Sequence, residues 1–99
     1  MYFVMFTFVL QANAGDSRAI AGINGTFEPL SFDHKPTNED EMRRITAAGG
    51  WVESNRVNGN LALSRALGDF IFKKNETKRS EEQVVTGTYL ESSAKWYSI

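Results

Sequence analysis

Asp16, set between Gly15 and Ser17, is the carboxylate of this sequence best placed to meet a cation. A Gly-Asp-Ser corner turns the backbone sharply and leaves the carboxylate projecting from the end of a strand pair. Hard divalent ions such as Mg²⁺ or Mn²⁺ take oxygen ligands, so a carboxylate fixed at a strand end suits them. The same residues also describe an Asx turn, in which the aspartate bonds its own backbone, and on local sequence alone that reading is the commoner. Arg56 stands just ahead of Asn58-Gly59. Its guanidinium fork could grip phosphate or an acidic substrate residue; the alternative is a surface arginine whose head stays in water. His34 is the sole histidine, and therefore the sole side chain whose ordinary pKa suits proton transfer near neutral pH. Its neighbour Asp33 is short enough to bond loop or helix-start amides. Arg65 and Asp69, four apart, would lie on the same side of an extended segment and could pair with each other. Gly49-Gly50, Gly59 and Gly68 match neither a phosphate-binding loop nor a dinucleotide fingerprint, and a turn or a cap accounts for each.

The elements that carry these residues are mostly short. Tyr2 to Leu10 is almost wholly apolar, and the β-branched and aromatic residues Phe3, Val4, Phe6, Phe8 and Val9 predict a buried strand over 3–13. Ala12-Asn13-Ala14 imitates a signal-peptide cleavage site, but no Lys or Arg precedes the apolar run, and the run is far short of the roughly 20 residues that a membrane span needs. Arg18 to Ile23 and Thr26 to Phe32 predict two more strands, joined at Asn24-Gly25 in a type I′ turn. Pro36 ends the extended stretch, and Thr37 or Asn38 caps a helix expected over Asn38 to Ala48, with Glu39, Asp40 and Glu41 complementing its positive end. Met42, Ile45 and Ala48 share the apolar face, Arg43 and Arg44 face elsewhere, and Gly49-Gly50 ends the helix. Short strands are predicted at Trp51 to Glu53 and Leu61 to Leu63, on either side of the Asn58-Gly59 turn. Lys73 to Gln83 reads as a surface loop and Val84 to Leu90 as a last strand.

Bulk composition narrows the class. At 99 residues the chain forms one unit at most, and burial at this size is marginal. With 41% hydrophobic residues, 23% charged residues and a net charge of −1, the composition is that of an ordinary globular protein. The densest basic stretch, Lys73 to Arg79, is interrupted by Glu76 and followed by Glu81 and Glu82, so no nucleic-acid partner is expected. No cysteine is present, which removes disulfides and thiolate chemistry and favours an intracellular protein, cytoplasmic or nuclear.

Five strings carry a more specific message: Gly15-Asp16-Ser17-Arg18, Asp33-His34-Lys35-Pro36, Ala48-Gly49-Gly50, Arg56-Val57-Asn58-Gly59 and Ser64-Arg65-Ala66-Leu67-Gly68-Asp69-Phe70. In this order and spacing they resemble the middle third of the PPM-type, or type 2C, metal-dependent protein serine/threonine phosphatases. The resemblance implies an α+β fold, a partial antiparallel β-sandwich with one central amphipathic helix. It implies Mg or Mn as cofactor, with Asp16 beside the metal centre, and a flap region in which Arg56 binds substrate. It also argues against His34 as the proton donor, because the family's proposed catalytic histidine belongs to an Asp-Gly-His-Gly string that is absent here; His34 then reads as structural. The family's early phosphate-binding arginine and its Asp-Gly-hydrophobic-Trp-Asp and Asp-Asn strings are absent as well. The expectation is therefore a truncated product: an incomplete phosphatase domain over residues 1–86 and a divergent tail over 87–99, with no catalytic residue of its own. Two functions follow, a segment of an enzyme that hydrolyses phosphoserine and phosphothreonine in proteins, or a non-catalytic interaction protein that keeps part of the scaffold.

Overall fold

The computed structural model describes Met1 and residues 11–87. The predicted strand over 3–13 and the end of the predicted strand Val84–Leu90 lie outside the described residues. The order of elements is β1 (Ile20–Ile23), β2 (Thr26–Pro29), α1 (Glu39–Ala47), β3 (Val52–Glu53) and β4 (Arg56–Val57), followed by single 3₁₀ turns at Phe70–Phe72 and Ser80–Glu82. Among the described residues two small antiparallel sheets, β1-β2 and β3-β4, accompany one α-helix, as an α+β segment of the expected kind should.

β1 and β2 form a two-residue hairpin in which Ile23 opposes Thr26. Asn24 and Gly25 both take positive φ, 50° and 76°, the signature of the predicted type I′ turn. The regular ladder stops short of the predicted ends, yet the chains stay tied: Leu30 N–H donates to Ala19 O at 2.8 Å, and Ala19 N–H donates to Ser31 Oγ at 2.8 Å.

The helix falls where its signals predict, with Asn38 as N-cap residue and Ala48 as C-cap residue. Asn38 nevertheless makes no side-chain cap; its Nδ2 donates instead to Asp33 O at 2.8 Å. At the other end Gly49 (φ +88°) supplies the left-handed residue, while Gly49 N–H reaches Thr46 O at 3.1 Å and Gly50 N–H reaches Ile45 O at 2.9 Å, the paired bonds of a Schellman motif. The buried face differs from expectation. Ile45 and Ala48 are buried, but Met42 is 40% exposed and Glu41 takes its place at 5%. Spacing of i, i+4, i+7 selects Glu41, Ile45 and Ala48, and the charge on Glu41 hid it from an apolar count.

β3 and β4 correct a second expectation. The partner of Trp51–Glu53 is Arg56–Val57 rather than Leu61–Leu63, because Ser54 and Asn55 both adopt positive φ and close a tighter turn first. Asn58-Gly59 then makes the second turn, and only Leu61 pairs back, bridging to Val57. The core lies between the helix and this double turn, with Ile45, Val57, Ala66 and Val85 buried and Val52, Leu61, Phe72 and Val84 packed around them.

Lys73 to Gln83 lies at the surface, as its composition suggests, but around a buried polar centre. Gln83 Oε1 accepts from Asn75 N–H at 3.0 Å, and its Nε2 donates to the carbonyls of Asn75 at 2.8 Å and Lys78 at 2.9 Å. Asn75 in turn donates from Nδ2 to Ala48 O at 3.2 Å, so the loop covers the end of α1.

Candidate functional site

Three stretches distant in sequence meet at the N-terminal half of α1. The Gly15 corner is clamped by His34, whose backbone N–H donates to Gly15 O at 2.8 Å while Gly15 N–H donates to His34 Nδ1 at 3.3 Å. Gly15 is buried at φ +102°, and a Cβ there would stand 3.3 Å from Arg65 O, so this position needs glycine for both conformation and space. His34 O accepts from Ser64 N–H at 3.1 Å. Ser64, wholly buried, donates its hydroxyl to Glu41 Oε2. The corner is thus wired through His34 and Ser64 to the helix.

Glu41 is the centre of this wiring. Arg65 Nη2 donates to Oε1 at 2.8 Å and Arg65 Nε spans both oxygens at 3.1 and 3.2 Å, a forked contact. Arg44 Nη1 lies 2.8 Å from Oε1 as an ion pair, while its Nη2 donates to Ser64 O at 2.7 Å and its Nε to Gln83 O at 3.2 Å. Burial by itself would raise the Glu41 carboxyl, but bonds from Arg65, Ser64 and Arg44 together hold it below the ordinary carboxylate range. Burial lowers Arg44 despite its carboxylate partner, and the side chain stays charged because an arginine starts so high. His34 is lowered, first by burial and then by the charge of Arg65, which keeps Nδ1 free to accept. Ser64 thus has its hydroxyl proton committed to the hydrogen bond with the Glu41 carboxylate.

Three expectations change accordingly. Arg44 turns inward rather than away from the core. Arg65 pairs with Glu41, not with Asp69, whose backbone takes the left-handed conformation (φ 50°) at the start of the 3₁₀ turn. Asp33 also differs from expectation: instead of bonding amides it accepts a two-pronged contact from Arg18, Nε to Oδ1 at 3.1 Å and Nη2 to Oδ2 at 2.7 Å, with Lys35 Nζ at 3.5 Å. Hydrogen bonding from Arg18 leads the effects that hold its carboxyl low. His34 bonds the Gly15 corner through its backbone N–H and its Nδ1.

The two residues singled out for metal and substrate are not brought together with that network. Asp16 is exposed beside the clamped Gly15 and engages no ion pair or side-chain hydrogen bond among the described residues. Arg56 is exposed on β4 and folds over its own turn, donating from Nη1 to Asn60 O at 2.7 Å. Neither lines the cleft of about 440 Å³ at the start of α1, whose walls include Asn13, Phe32, His34, Asn38, Glu41 and Arg65. Among the described residues no group of three or more His, Cys, Asp or Glu side chains is placed to hold a metal ion. A lone Asp16 supplies one of the roughly six oxygens that Mg²⁺ or Mn²⁺ takes, so the donor set here does not fit such an ion. No helix among the described residues is long and apolar enough to cross a membrane.

Comparison with known proteins gives this arrangement its place. The family model described as Protein phosphatase 2C matches residues 3–95. A probable protein phosphatase 2C of Caenorhabditis elegans is 72% identical over 74 residues, which cover 75% of this chain and 21% of that protein. Protein phosphatase 2C homolog 2 of Schizosaccharomyces pombe is 63% identical over 75 residues, 76% of this chain and 20% of the relative. Among solved structures, a phosphatase of Toxoplasma gondii superposes with a TM-score of 0.71 at 49% identity, covering 76% of this chain and 24% of that one. The chain belongs to the protein phosphatase 2C family. It spans about a fifth of the length of these curated relatives.

Proposed function

We propose that this chain is the central segment of a protein phosphatase acting on phosphoserine and phosphothreonine in proteins, and that the 99 residues turn over nothing by themselves. The observation that carries the first half is the 72% identity to a protein phosphatase 2C sustained over 74 residues. The second half rests on the donor set. A phosphoryl-transfer site must bring nucleophile, cation and phosphate into one geometry, and losing a single charged element already costs orders of magnitude in rate. Dependence on Mg or Mn is part of the proposal for the whole domain, with Asp16 as one ligand completed by residues beyond those described. Its support is local: of the two aspartates in the corner region, Asp33 is taken by Arg18 and Lys35, whereas Asp16 has no ion pair or side-chain hydrogen bond among the described residues. Arg56 is proposed to meet the substrate, since the contact to Asn60 occupies Nη1 and leaves Nε and Nη2 without a partner among the described residues.

The test is a chimaera in which this chain replaces the matching segment of the Caenorhabditis elegans relative. With Mn²⁺ the chimaera should release phosphate from a phosphothreonine peptide and the 99-residue chain should not. In the chimaera, Asp16→Ala should lower kcat more than it changes KM, and Arg56→Ala should mainly raise KM. Metal-dependent turnover by the 99-residue chain that Asp16→Ala abolishes would overturn the proposal.

A further inference from the structure

The sequence contains two Asn-Gly pairs, Asn24-Gly25 and Asn58-Gly59, and both form turns with positive φ at both residues. Their surroundings differ. Asn58 is half-buried; its Oδ1 accepts from Trp51 N–H at 3.1 Å, its own N–H donates to Trp51 O at 2.8 Å, and Gly50 packs so close that a Cβ there would lie 3.0 Å from Oδ1. Asn24 is exposed at the tip of the β1-β2 hairpin, and its side chain has no hydrogen bond among the described residues. Gly25 beside it has nothing within 4 Å of where a Cβ would stand.

We propose that Asn24 is a site of spontaneous modification, cyclising to a succinimide and opening to aspartate or isoaspartate, while Asn58 is held inert by its contacts to Trp51. In this step the Gly25 amide nitrogen gives up its proton and attacks Cγ of Asn24. A new C–N bond closes a five-membered imide, the bond from Cγ to the side-chain nitrogen breaks, and ammonia leaves carrying the proton. Water then adds to either imide carbonyl, so the balance is one water taken up and one ammonia lost, with no oxidant, reductant or enzyme. Glycine matters because the attacking nitrogen bears no bulky neighbour. The carboxamide must also swing toward that nitrogen, out of the turn geometry. A hairpin tip opens with little free energy, and a side chain locked to a neighbouring strand does not. The product places a new carboxylate on the tip, and the isoaspartate form adds a backbone atom to a two-residue loop whose register depends on its length.

Peptide mapping by mass spectrometry of the full 99-residue chain, incubated at neutral to mildly alkaline pH, tests this directly. In native buffer the amide-to-acid conversion of Asn24 should outrun that of Asn58 by about tenfold, the ratio expected when one site opens locally and the other only with its surrounding structure. In concentrated urea the two rates should converge, because the dipeptides are the same. Gly25→Ala should slow Asn24 and leave Asn58 unchanged. Equal native rates, a faster Asn58, or a tenfold difference that persists in urea would each overturn the proposal.

Discussion

Glu41 is the residue whose removal should be felt most. It is 5% exposed, it answers two guanidinium groups, and it accepts a hydrogen bond from the hydroxyl of the buried Ser64. Replacing one member of such a set leaves the others desolvated and unpaired, which costs more than the pairing itself contributed. Glu41→Ala should therefore lower the unfolding free energy by about 3 kcal/mol, near the lower end for broken buried pairs because Arg65 keeps some solvent contact, as read from urea unfolding. The same group contributes to the acid side of the stability profile, beside Asp33 and Glu82, whose carboxyls are also held low. Its folded pKa lies below its unfolded value of about 4.5, so its contribution is complete above that pH and is lost as pH falls through the folded value. His34 has the same sign. Its folded pKa lies below about 6.5, so the neutral ring that accepts from Gly15 contributes stability above that pH, and the contribution is lost as pH falls below it. Thermal melts across pH should show two descending steps, and His34→Gln should remove the upper one while sparing the lower.

At the scale of elements, the junction of α1 with β3 is closely packed at Gly50. A Cβ on Gly50 would meet Val84 Cγ1 at 2.9 Å, Asn58 Oδ1 at 3.0 Å and Ile45 Cγ2 at 3.0 Å, three groups from three segments. Gly50→Ala should cost roughly 1–3 kcal/mol by overpacking and lower the melting temperature, with the helix content of the far-ultraviolet spectrum largely kept. The elements show which features a sequence discloses. Asn24-Gly25 and the Gly49 stop were legible because each encodes its own backbone angle. The Ser54-Asn55 turn was not, since neither residue demands positive φ and the pairing of Val52 with Val57 selects it. Glu41 and Arg44 escaped for a related reason: a charge on the stripe of Ile45 and Ala48 reads as solvent-facing until its partner is known, and Arg65 comes 24 residues later. Asp16 and Arg56 were legible as types, while the cleft at the start of α1 depends on three chain segments and has no local signature.

For the molecule as a whole, the apolar surface is the conspicuous feature. Among the described residues Leu67 is 81% exposed, Phe70 74%, Ile71 71% and Phe27 71%, large apolar side chains left in water. The 99-residue chain should associate with itself as concentration rises, visible in sedimentation velocity; a single monomeric species that unfolds cooperatively would contradict this. The wiring around Glu41 also imposes an order in time. Each hairpin closes over a two-residue loop and α1 forms within its own turns, events of microseconds or less. Glu41, by contrast, can shed its water only after Arg65 has arrived from 24 residues away, and Arg44 can bond Gln83 O only after a separation of 39 residues has closed. The charged face of the helix is therefore covered late. Until it is, the Gly15 corner is held by His34 alone, and its tie to α1 through Ser64, with it the place of Asp16 relative to the helix, is made by one of the last events of folding.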